Sequence, residues 1–285
     1  MVKLNKDVKG LPLRTEIYLD GYLKENLDTA HELVMKNWDN IGFISGYEGD
    51  GKSSLAQTIG LYLDATLNLD KIVFTPQQFF DAVDKADKST VIIWDEADDL
   101  GEQWYKDILQ ALKSKMKRIR KRNLHIILVT PTIFDLNKYF VIARTRWLIH
   151  VYADGTERGF FRFFNREQKK KLYIHGNREW DMDAAKPNFF GRFTKLPEGF
   201  PIDQQAYENK KEEATKALGV TGRKSAPALL ADYRKEVLLR LYWIHKEYYG
   251  KNLPQRLYGE AFGVDQSSIS LDLKEVLRAE KSMKP

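Results

Sequence analysis

The sequence predicts an α/β protein with a mostly parallel sheet, followed by a small all-α domain. "TVIIWD" (90–95) and "LHIILVT" (124–130) are continuous β-branched runs, as in strands buried on both faces of a parallel sheet. Segments with helical spacing of apolar residues alternate with such runs. Because 285 residues exceed the ~250 at which one core stops growing, we expect a second, smaller domain.

The elements of the first domain follow in order along the chain. Helices are predicted in "GYLKENLDTAHELVMKNWD", "SSLAQTIGLYLDATL", "PQQFFDAVDKAD" and residues 102–122, and strands in "IGFIS", "KIVFT" and the two runs above. After "RWLIHVYAD", turn-length segments separate "GFFRFFN" from "KKLYIHG", which predicts antiparallel hairpins at the sheet edge, about 147–175. Residues 177–201 are poor in periodicity and predict an ordered loop region.

Composition excludes several classes of protein. With 43% hydrophobic and 30% charged residues, the chain has an ordinary globular composition. No run approaches the ~20 apolar residues of a membrane span, and the N-terminus lacks the apolar centre of a signal peptide, so we expect a cytoplasmic protein. The absence of cysteine excludes disulfides and thiolate sites, and the five histidines have no metal-ligand spacing.

A glycine-rich segment, "GYEGDGKS" (46–53), fits the pattern G-x-x-x-x-G-K-[ST] between a predicted strand and a predicted helix. Such a loop wraps backbone N–H groups around the phosphates of ATP, its lysine reaches the β- and γ-phosphates, and its serine ligates Mg²⁺. A chance glycine-rich turn is the alternative. The predicted nucleotide-binding residues are Gly46, Gly49, Asp50, Gly51, Lys52, Ser53 and Ser54, with Ser53 as metal ligand.

Two acids end the apolar strand 43 residues after Lys52. We expect Asp95 to hold the Mg²⁺ shell and Glu96 to polarise the attacking water. One strand, "KIVFT", intervenes in sequence before this pair, so the arrangement resembles the additional-strand, catalytic-glutamate (ASCE) branch of P-loop ATPases, with a RecA-like core. The letters DEAD at 95–98 do not indicate a DEAD-box helicase, because only one phosphate loop and one such domain fit in this chain.

Three further residues are candidates for the hydrolysis machinery. The resemblance to the ASCE branch implies that Thr130, at the end of "LVT", senses the γ-phosphate; a strand-ending threonine before Pro131 is the alternative. Arg144 and Arg146 precede a strand that we expect at the sheet edge. In ring ATPases an arginine here reaches the γ-phosphate of the neighbouring subunit, whereas surface salt bridges are the alternative.

The basic stretch "KSKMKRIRKR" (113–122) holds seven positive charges and no acid. Subtracting those seven from the net charge of +6 leaves −1 for the rest of the chain. The positive charge is therefore concentrated in one stretch, as expected of a surface that binds phosphate groups. We favour nucleic acid over an acidic protein surface as the partner; a solvated helix face is the third interpretation. The predicted DNA contacts here are Lys113, Lys117, Arg118, Lys121 and Arg122.

The segment "YGEAFGVDQSSISLDLKEVL" (258–277) has the spacing of a helix-turn-helix unit. Gly259 is small where the helices cross, Gly263 permits the turn, and the predicted core is Phe262, Val264, Ile269 and Leu273. Gln266, Ser267, Ser268 and Ser270 would then face a DNA groove. The net negative charge of residues 265–280 weakens this interpretation, and a helical bundle for protein contacts is the alternative.

Residues 20–210 resemble the zonula occludens toxin-like ATPases within the FtsK–HerA group of DNA-pumping motors. The resemblance is carried by "GFISGYEGDGKSSLA", "VIIWDEADDL", the basic stretch leading into "LHIILVTP", and "ARTRWLIHVY". It implies a viral, plasmid or integrated-element protein that assembles into a ring, such as a hexamer, on double-stranded DNA. Filamentous-phage members carry a transmembrane helix that this sequence lacks.

The expected domains are a P-loop ATPase domain at 1–210, a linker at 211–228 and a helical helix-turn-helix domain at 229–285. The first functional hypothesis is an ATP-driven motor that translocates or packages double-stranded DNA. The second is a nucleotide-switched DNA-binding or regulatory protein. The third is an ATP-dependent remodeller or adaptor of another protein.

Overall fold

The computed structural model describes residues 1–95, 118–134, 136–220, 226–250 and 254–282. The chain divides into two compact units, Met1–Thr215 and Lys216–Pro285. Within the predicted linker, residues 211–220 and 226–228 are helical.

Among its described residues, the first unit contains a two-stranded and a seven-stranded sheet. The strands are β1 Val2–Lys6, β2 Pro12–Leu19, β3 Asn40–Ser45, β4 Ile72–Val73, β5 Val91–Trp94, β6 His125–Thr130, β7 Trp147–Asp154, β8 Glu157–Phe164 and β9 Phe189–Arg192. The helices are α1 Gly21–Met35, α2 Lys52–Leu63, α3 Pro76–Lys85 and α4 Arg166–Gly176, with a 3-10 turn at Leu69–Lys71 and a π-helix at Tyr139–Arg144; α5 Gln204–Val220 begins in this unit. Residues 118–122 are also helical.

The large sheet has the order β4-β5-β6-β3-β7-β8-β9. The first five strands are mutually parallel, and β8 and β9 add as antiparallel strands. β6 therefore lies between the strand before the glycine-rich loop and the strand that ends at Asp95. This topology confirms the predicted α/β fold with a mostly parallel sheet.

Helices cover both faces of the sheet. One core cluster joins the sheet to α1, α2 and the start of α5, through residues such as Leu27, Ile59 and Tyr207. The other joins the opposite face to α3, residues 118–122, the π-helix and α4, through residues such as Val83 and Leu172. α3 begins with a complete capping box between Thr75 and Gln78, which explains why the helix starts directly after the short strand β4.

Three sequence-based expectations at the sheet edge were wrong. "KKLYIHG" is not a hairpin strand but lies in α4, which Asn165 caps by accepting from the Gln168 N–H. β7 is not an edge strand, because it pairs with β3 on one side and β8 on the other. The region 177–201 contains the edge strand β9, and the hairpin β1–β2 at the N-terminus was not predicted.

A buried polar network ties α1 to the amino ends of β3, β6 and β7. The Trp147 indole N–H donates to Asn40 Oδ1 at 2.9 Å, so the Asn40 amide nitrogen faces His125 Nδ1 at 3.1 Å and donates to it. His125 therefore carries its proton on Nε2, which lies 3.3 Å from His31 Nδ1. Burial lowers the pKa of His125 to about 3, helped by the neighbouring His31. The network is complete only while His125 is neutral.

This network predicts an acid-sensitive contribution to stability. In the unfolded chain a histidine gains a proton below its ordinary pKa of ~6.5, whereas folded His125 stays neutral to about pH 3. The contribution of neutral His125 to the free energy of unfolding is thus fully present above pH 6.5. It falls on acidification by up to about 1.4 kcal/mol per pH unit. Urea unfolding of the wild type and His125→Gln between pH 7 and 4 should give a shallower pH dependence for the variant. His175→Gln, at an exposed histidine, is the control; parallel curves for wild type and His125→Gln would contradict the prediction.

The described residues after position 225 form three helices of the second unit, α6 Ala226–Tyr249, α7 Gln255–Phe262 and α8 Gln266–Ser282. Leu238, Ile269 and Leu273 form its buried core, and partly buried apolar side chains pack around them, namely Leu241, Tyr242, Tyr258, Phe262, Val264, Val276 and Leu277. A half-buried ion pair, Arg234 to Asp272 at 2.6 Å, joins α6 to α8. The four core residues predicted from sequence all belong to this cluster.

Gly259 and Gly263 occupy the positions predicted for them. A Cβ on Gly259 would lie 2.8 Å from the Val264 carbonyl oxygen, so only glycine permits this close approach of α7 to the following turn. Gly263 ends α7 with φ +64°, the left-handed conformation that glycine adopts most readily. The turn from α7 into α8 therefore depends on both glycines.

Candidate nucleotide site

Three neighbouring parallel strands place the predicted nucleotide-site residues at one edge of the sheet. β3 leads into the glycine-rich loop, β5 ends before Asp95, and β6 ends at Thr130. Ser45 pairs with Thr130 across β3 and β6, and Trp94 pairs with Leu128 across β5 and β6. Because parallel strands end on the same side, the loop, the carboxylate and the threonine lie at the carboxyl edge, where α/β proteins bind ligands.

The glycine-rich loop is fixed to the strands beside it. The Gly46 N–H donates to the Pro131 carbonyl at 3.1 Å. Gly46 has φ +148°, and a Cβ there would lie 2.4 Å from the Val151 carbonyl oxygen, so a larger residue would displace the loop from β7. On the other side, Gly51 precedes α2 with the Phe193 ring packed close to it. The loop therefore leads directly into the amino end of α2.

Lys52 and Asp50 both make contacts within the loop. The Lys52 ammonium donates to the carbonyls of Gly46 at 2.7 Å and Tyr47 at 2.9 Å. Asp50 is buried, and its carboxylate accepts from the Tyr47 N–H at 3.1 Å, so it closes the loop. Ser53 and Ser54 lie in the first turn of α2, where helices leave N–H groups without intrahelical acceptors and with a partial positive charge. An anion at the loop would meet Lys52 and this helix end together.

Asp95 lies at the end of β5 and is 2% exposed. Its backbone N–H donates to the Val73 carbonyl at 2.9 Å, which fixes the residue against β4. The Tyr207 hydroxyl, from α5, donates to the Asp95 carboxylate. Burial, then the charge of Asp95 and the hydrogen bond to it, raises the pKa of Tyr207 far above its usual value; a hydrogen bond with Ser53 acts in the opposite direction. The Tyr207 hydroxyl therefore keeps its proton at neutral pH.

These contacts test whether a magnesium ion fits. Ser53 lies in the first turn of α2 and Asp95 at the end of β5, so a hydroxyl and a carboxylate are both present at the carboxyl edge of the sheet. A hydroxyl and a carboxylate are the oxygen ligands that Mg²⁺ takes, with waters and nucleotide phosphates completing its shell. The residues present are suited to hold this ion.

Sequence reasoning did not identify Tyr207. It follows Asp95 by 112 positions and lies in a helix with no motif of its own, so no local pattern connects the two residues. His150 was also missed; its Nδ1 lies 3.1 Å from Ser45 Oγ, directly before the loop. Burial lowers the pKa of His150 to about 4, with a smaller contribution from Arg162. His150 lies beside Ser45 because β7 pairs with β3. The sequence alone does not give this strand order, so it could not identify His150.

Thr130 is buried, and its hydroxyl donates to the Thr132 carbonyl at 2.9 Å. This is the contact expected of a threonine that ends a strand. The γ-phosphate-sensing role remains a prediction. Glu96, the predicted catalytic glutamate, lies outside the described residues.

Arg144 and Arg146 lie at the amino edge of the sheet, opposite the glycine-rich loop of the same chain. Arg144 forms an ion pair with Asp39 at 3.0 Å. Arg146 donates to the Asp39 carbonyl at 2.7 Å, and its guanidinium lies 4.9 Å from the centre of the Trp38 ring. Both side chains are partly buried, and burial lowers the pKa of Arg146. In a ring, only a neighbouring subunit's loop is a possible target for them, and this role remains a prediction.

A buried lysine holds the segment that carries these arginines. The Lys169 ammonium donates to the Val141 carbonyl, to the Thr145 carbonyl at 2.7 Å and to the Thr145 hydroxyl. Burial lowers its pKa to about 7, with a smaller contribution from Arg166. Lys169 thus satisfies carbonyls at the end of the π-helix, which fixes the path of residues 141–145 against α4.

The predicted DNA contacts have different surroundings. Arg118 forms an ion pair with Asp84, and the Arg122 guanidinium donates to the Ala86 carbonyl, so both are tied to α3 and its end. Lys121 is exposed. Lys113 and Lys117 lie outside the described residues.

In the second unit, Asp265 caps the start of α8. Its carboxylate accepts from the Ser268 N–H at 2.8 Å and from the hydroxyls of Ser267 and Ser268. Gln266 is exposed and Ser270 is half-buried. The negative charge of Asp265 therefore lies at the amino end of α8, the end of a helix that would otherwise attract a phosphate.

Comparisons with known proteins give matches among solved structures alone: no family model and no curated protein matches the chain. The N-terminal domain of zonular occludens toxin from Neisseria meningitidis is 15% identical with a TM-score of 0.37, covering 60% of this chain and 98% of that one. A RuvB from Thermotoga maritima is 14% identical with a TM-score of 0.35, covering 92% and 88%. AMPPCP-bound DnaA from Aquifex aeolicus is 14% identical with a TM-score of 0.33, covering 98% and 92%.

Among the helices within the described ranges, none combines the length and apolar character required to cross a lipid bilayer.

Proposed function

We propose that this chain is an ATPase that uses ATP hydrolysis to translocate or package double-stranded DNA. The observation that supports it most is the convergence of Lys52, Ser53 and Asp95 at the carboxyl edge of a parallel sheet. The loop before α2 supplies backbone donors, the ammonium supplies a positive charge, and Ser53 and Asp95 supply a hydroxyl and a carboxylate oxygen. This set of groups matches the requirements for holding a nucleoside triphosphate with Mg²⁺.

In the proposed reaction each group has a separate task. Lys52 exchanges its loop carbonyls for β- and γ-phosphate oxygens, and the first turn of α2 donates N–H groups to the same phosphates. Bound Mg²⁺ neutralises the charge that develops on these phosphates. Ser53 and Asp95 hold it. Glu96, next to Asp95, accepts a proton from the attacking water.

The DNA part of the proposal is supported by charge. Seven basic residues in 113–122 form the one concentrated positive stretch of the sequence, and salt-dependent attraction to phosphates needs no base-specific contact. Lys121 is exposed, whereas Arg118 would have to exchange Asp84 for a phosphate. We further propose that α7 and α8 form a helix-turn-helix, with Gln266 and Ser270 available for contacts to DNA.

We propose that the active form is a ring of subunits, in which Arg144 or Arg146 of one subunit completes the site of its neighbour. Arg144 is the better candidate, because its ion pair is with the Asp39 side chain, which a phosphate can replace as partner. Arg146 is additionally stacked on Trp38 and bonded to backbone, as expected of a structural residue. The resemblance of residues 20–210 to zonula occludens toxin-like ATPases is consistent with a cytoplasmic protein of a virus or mobile element.

The test is steady-state ATP hydrolysis by the full chain, measured with linear double-stranded DNA, with single-stranded DNA, with heparin and without polyanion. The proposal expects the largest stimulation by double-stranded DNA. Equal stimulation by heparin would reduce the DNA effect to general polyanion binding, and a DNA-independent rate would contradict the proposal.

A second function, an ATP-dependent adaptor or remodeller of another protein, is favoured by one observation. In the second unit, the Asp265 carboxylate accepts from Ser267 and Ser268, so an acidic side chain occupies part of the surface proposed to contact DNA. Deleting residues 229–285 tests the adaptor hypothesis, which expects no DNA effect before or after the deletion. Footprinting tests the nucleotide-switched regulator, which expects a fixed DNase footprint without directional movement.

A further inference from the structure

The Tyr207 side chain lies in the proposed magnesium site. Its hydroxyl donates to the carboxylate of Asp95, one of the two side chains that the proposed function assigns to the ion. Tyr207 is 2% exposed, so this contact is shielded from bulk water. A buried hydroxyl that donates to this carboxylate takes a position that a metal-bound water would otherwise occupy.

The start of α5 is held in place by contacts that do not involve this hydroxyl. Gln204 donates to Gln57 in α2 at 3.1 Å. Lys210 donates to the carbonyls of Leu69 at 2.8 Å and Ile72 at 2.7 Å. The Tyr207 ring also packs against Phe74, with ring centres 5.5 Å apart. Removing the hydroxyl alone therefore leaves the helix and the ring in position.

Magnesium binding and the Tyr207 hydrogen bond compete for the Asp95 carboxylate. Mg²⁺ requires six oxygen ligands at about 2.0–2.1 Å in near-ideal octahedral geometry. The Tyr207 hydroxyl occupies one oxygen of this carboxylate, so an ion or a metal-bound water at the same oxygen must displace it. Binding of Mg²⁺ through this oxygen therefore breaks the tyrosine hydrogen bond.

We propose that the Tyr207 hydroxyl competes with Mg²⁺ for Asp95, so that the nucleotide site binds the metal weakly until α5 releases this contact. The inference rests on the proposed nucleotide site and adds a regulating residue to it. Any event that shifts the start of α5 would then raise the affinity for Mg²⁺-nucleotide without changing the phosphate loop.

The test is calorimetric binding of a nonhydrolysable ATP analogue to the full chain, titrated with Mg²⁺ and repeated in EDTA. Tyr207→Phe should lower the Mg²⁺ concentration at half-saturation about tenfold, the size expected for losing one hydrogen bond to a charged group, and should leave the affinity in EDTA unchanged. Tyr62→Phe is the matched control, because the Tyr62 hydroxyl likewise donates to a carboxylate, Asp28, remote from the loop. It should not shift the Mg²⁺ dependence.

The possible outcomes separate the two proposals. Suppose that the wild type binds the analogue with Mg²⁺ and that Tyr207→Phe reaches half-saturation at the same or a higher Mg²⁺ concentration. Competition by the hydroxyl is then wrong, whereas the proposed nucleotide site is supported. If neither protein binds the analogue with or without Mg²⁺, the proposed function fails and the competition fails with it. Thermal unfolding of the phenylalanine variant, measured beside the wild type, shows that the fold is retained.

Discussion

Substituting Lys52 by alanine is expected to reduce ATP hydrolysis by two to three orders of magnitude, as loss of one preorganised donor to a reacting oxygen does in other enzymes. The reason is geometric. The ammonium is held at the loop by the Gly46 and Tyr47 carbonyls, at the amino end of α2, where it meets any phosphate that enters. The measurement is phosphate release under saturating ATP and Mg²⁺.

The control for this substitution is Lys171→Ala, which removes a lysine from the exposed i,i+4 pair with Glu167. An exposed pair of this kind contributes little, so this variant should hydrolyse ATP like the wild type. Wild-type turnover by Lys52→Ala would show that the glycine-rich loop is not the site of hydrolysis.

Glu96→Gln is expected to reduce hydrolysis by about 10²–10⁴-fold while leaving Mg²⁺-ATP binding intact, because the amide is isosteric but does not accept the proton of the attacking water. Glu96 itself lies outside the described residues, and the prediction rests on its position directly after Asp95, whose burial at the end of β5 is observed. Single-turnover hydrolysis and equilibrium binding of ATP together give the two readouts.

Asp98→Asn is the matched control, since Asp98 is an acid two positions after Glu96 that has no task in the proposed reaction. If Asp98→Asn loses hydrolysis and Glu96→Gln retains it, the base has been assigned to the wrong acid. If both variants lose nucleotide binding as well, the acids maintain the fold of the site and do not act on water.

The parallel part of the sheet could be predicted because its strands have a one-dimensional signal. Val91–Trp94 and His125–Thr130 lie in continuous β-branched runs. Such runs are typical of parallel strands that are buried on both faces. The phosphate loop was equally local, since Gly46, Gly51 and Lys52 lie within seven consecutive positions.

The errors arose where tertiary contacts decide the local structure. α4 was taken for a strand because Leu172, Tyr173 and Ile174 form a short apolar run, a pattern that length and periodicity do not resolve. The helical conformation of this segment is fixed by Lys169, whose buried ammonium donates to carbonyls of Val141 and Thr145. These carbonyls reach the lysine only when the π-helix has folded. Tyr207 was missed for the same reason, since a tyrosine in a polar helix has no sequence feature that connects it to Asp95.

ATP hydrolysis measured with and without double-stranded DNA, with particle size recorded in a nonhydrolysable ATP analogue, tests most directly whether this chain is a DNA-driven ATPase ring. We predict hydrolysis that rises on adding duplex DNA, falls with salt as phosphate contacts are screened, and is lost in Lys52→Ala. We also predict particles of several subunits in the presence of the analogue. A monomer that hydrolyses ATP at the same rate with and without DNA would contradict this function.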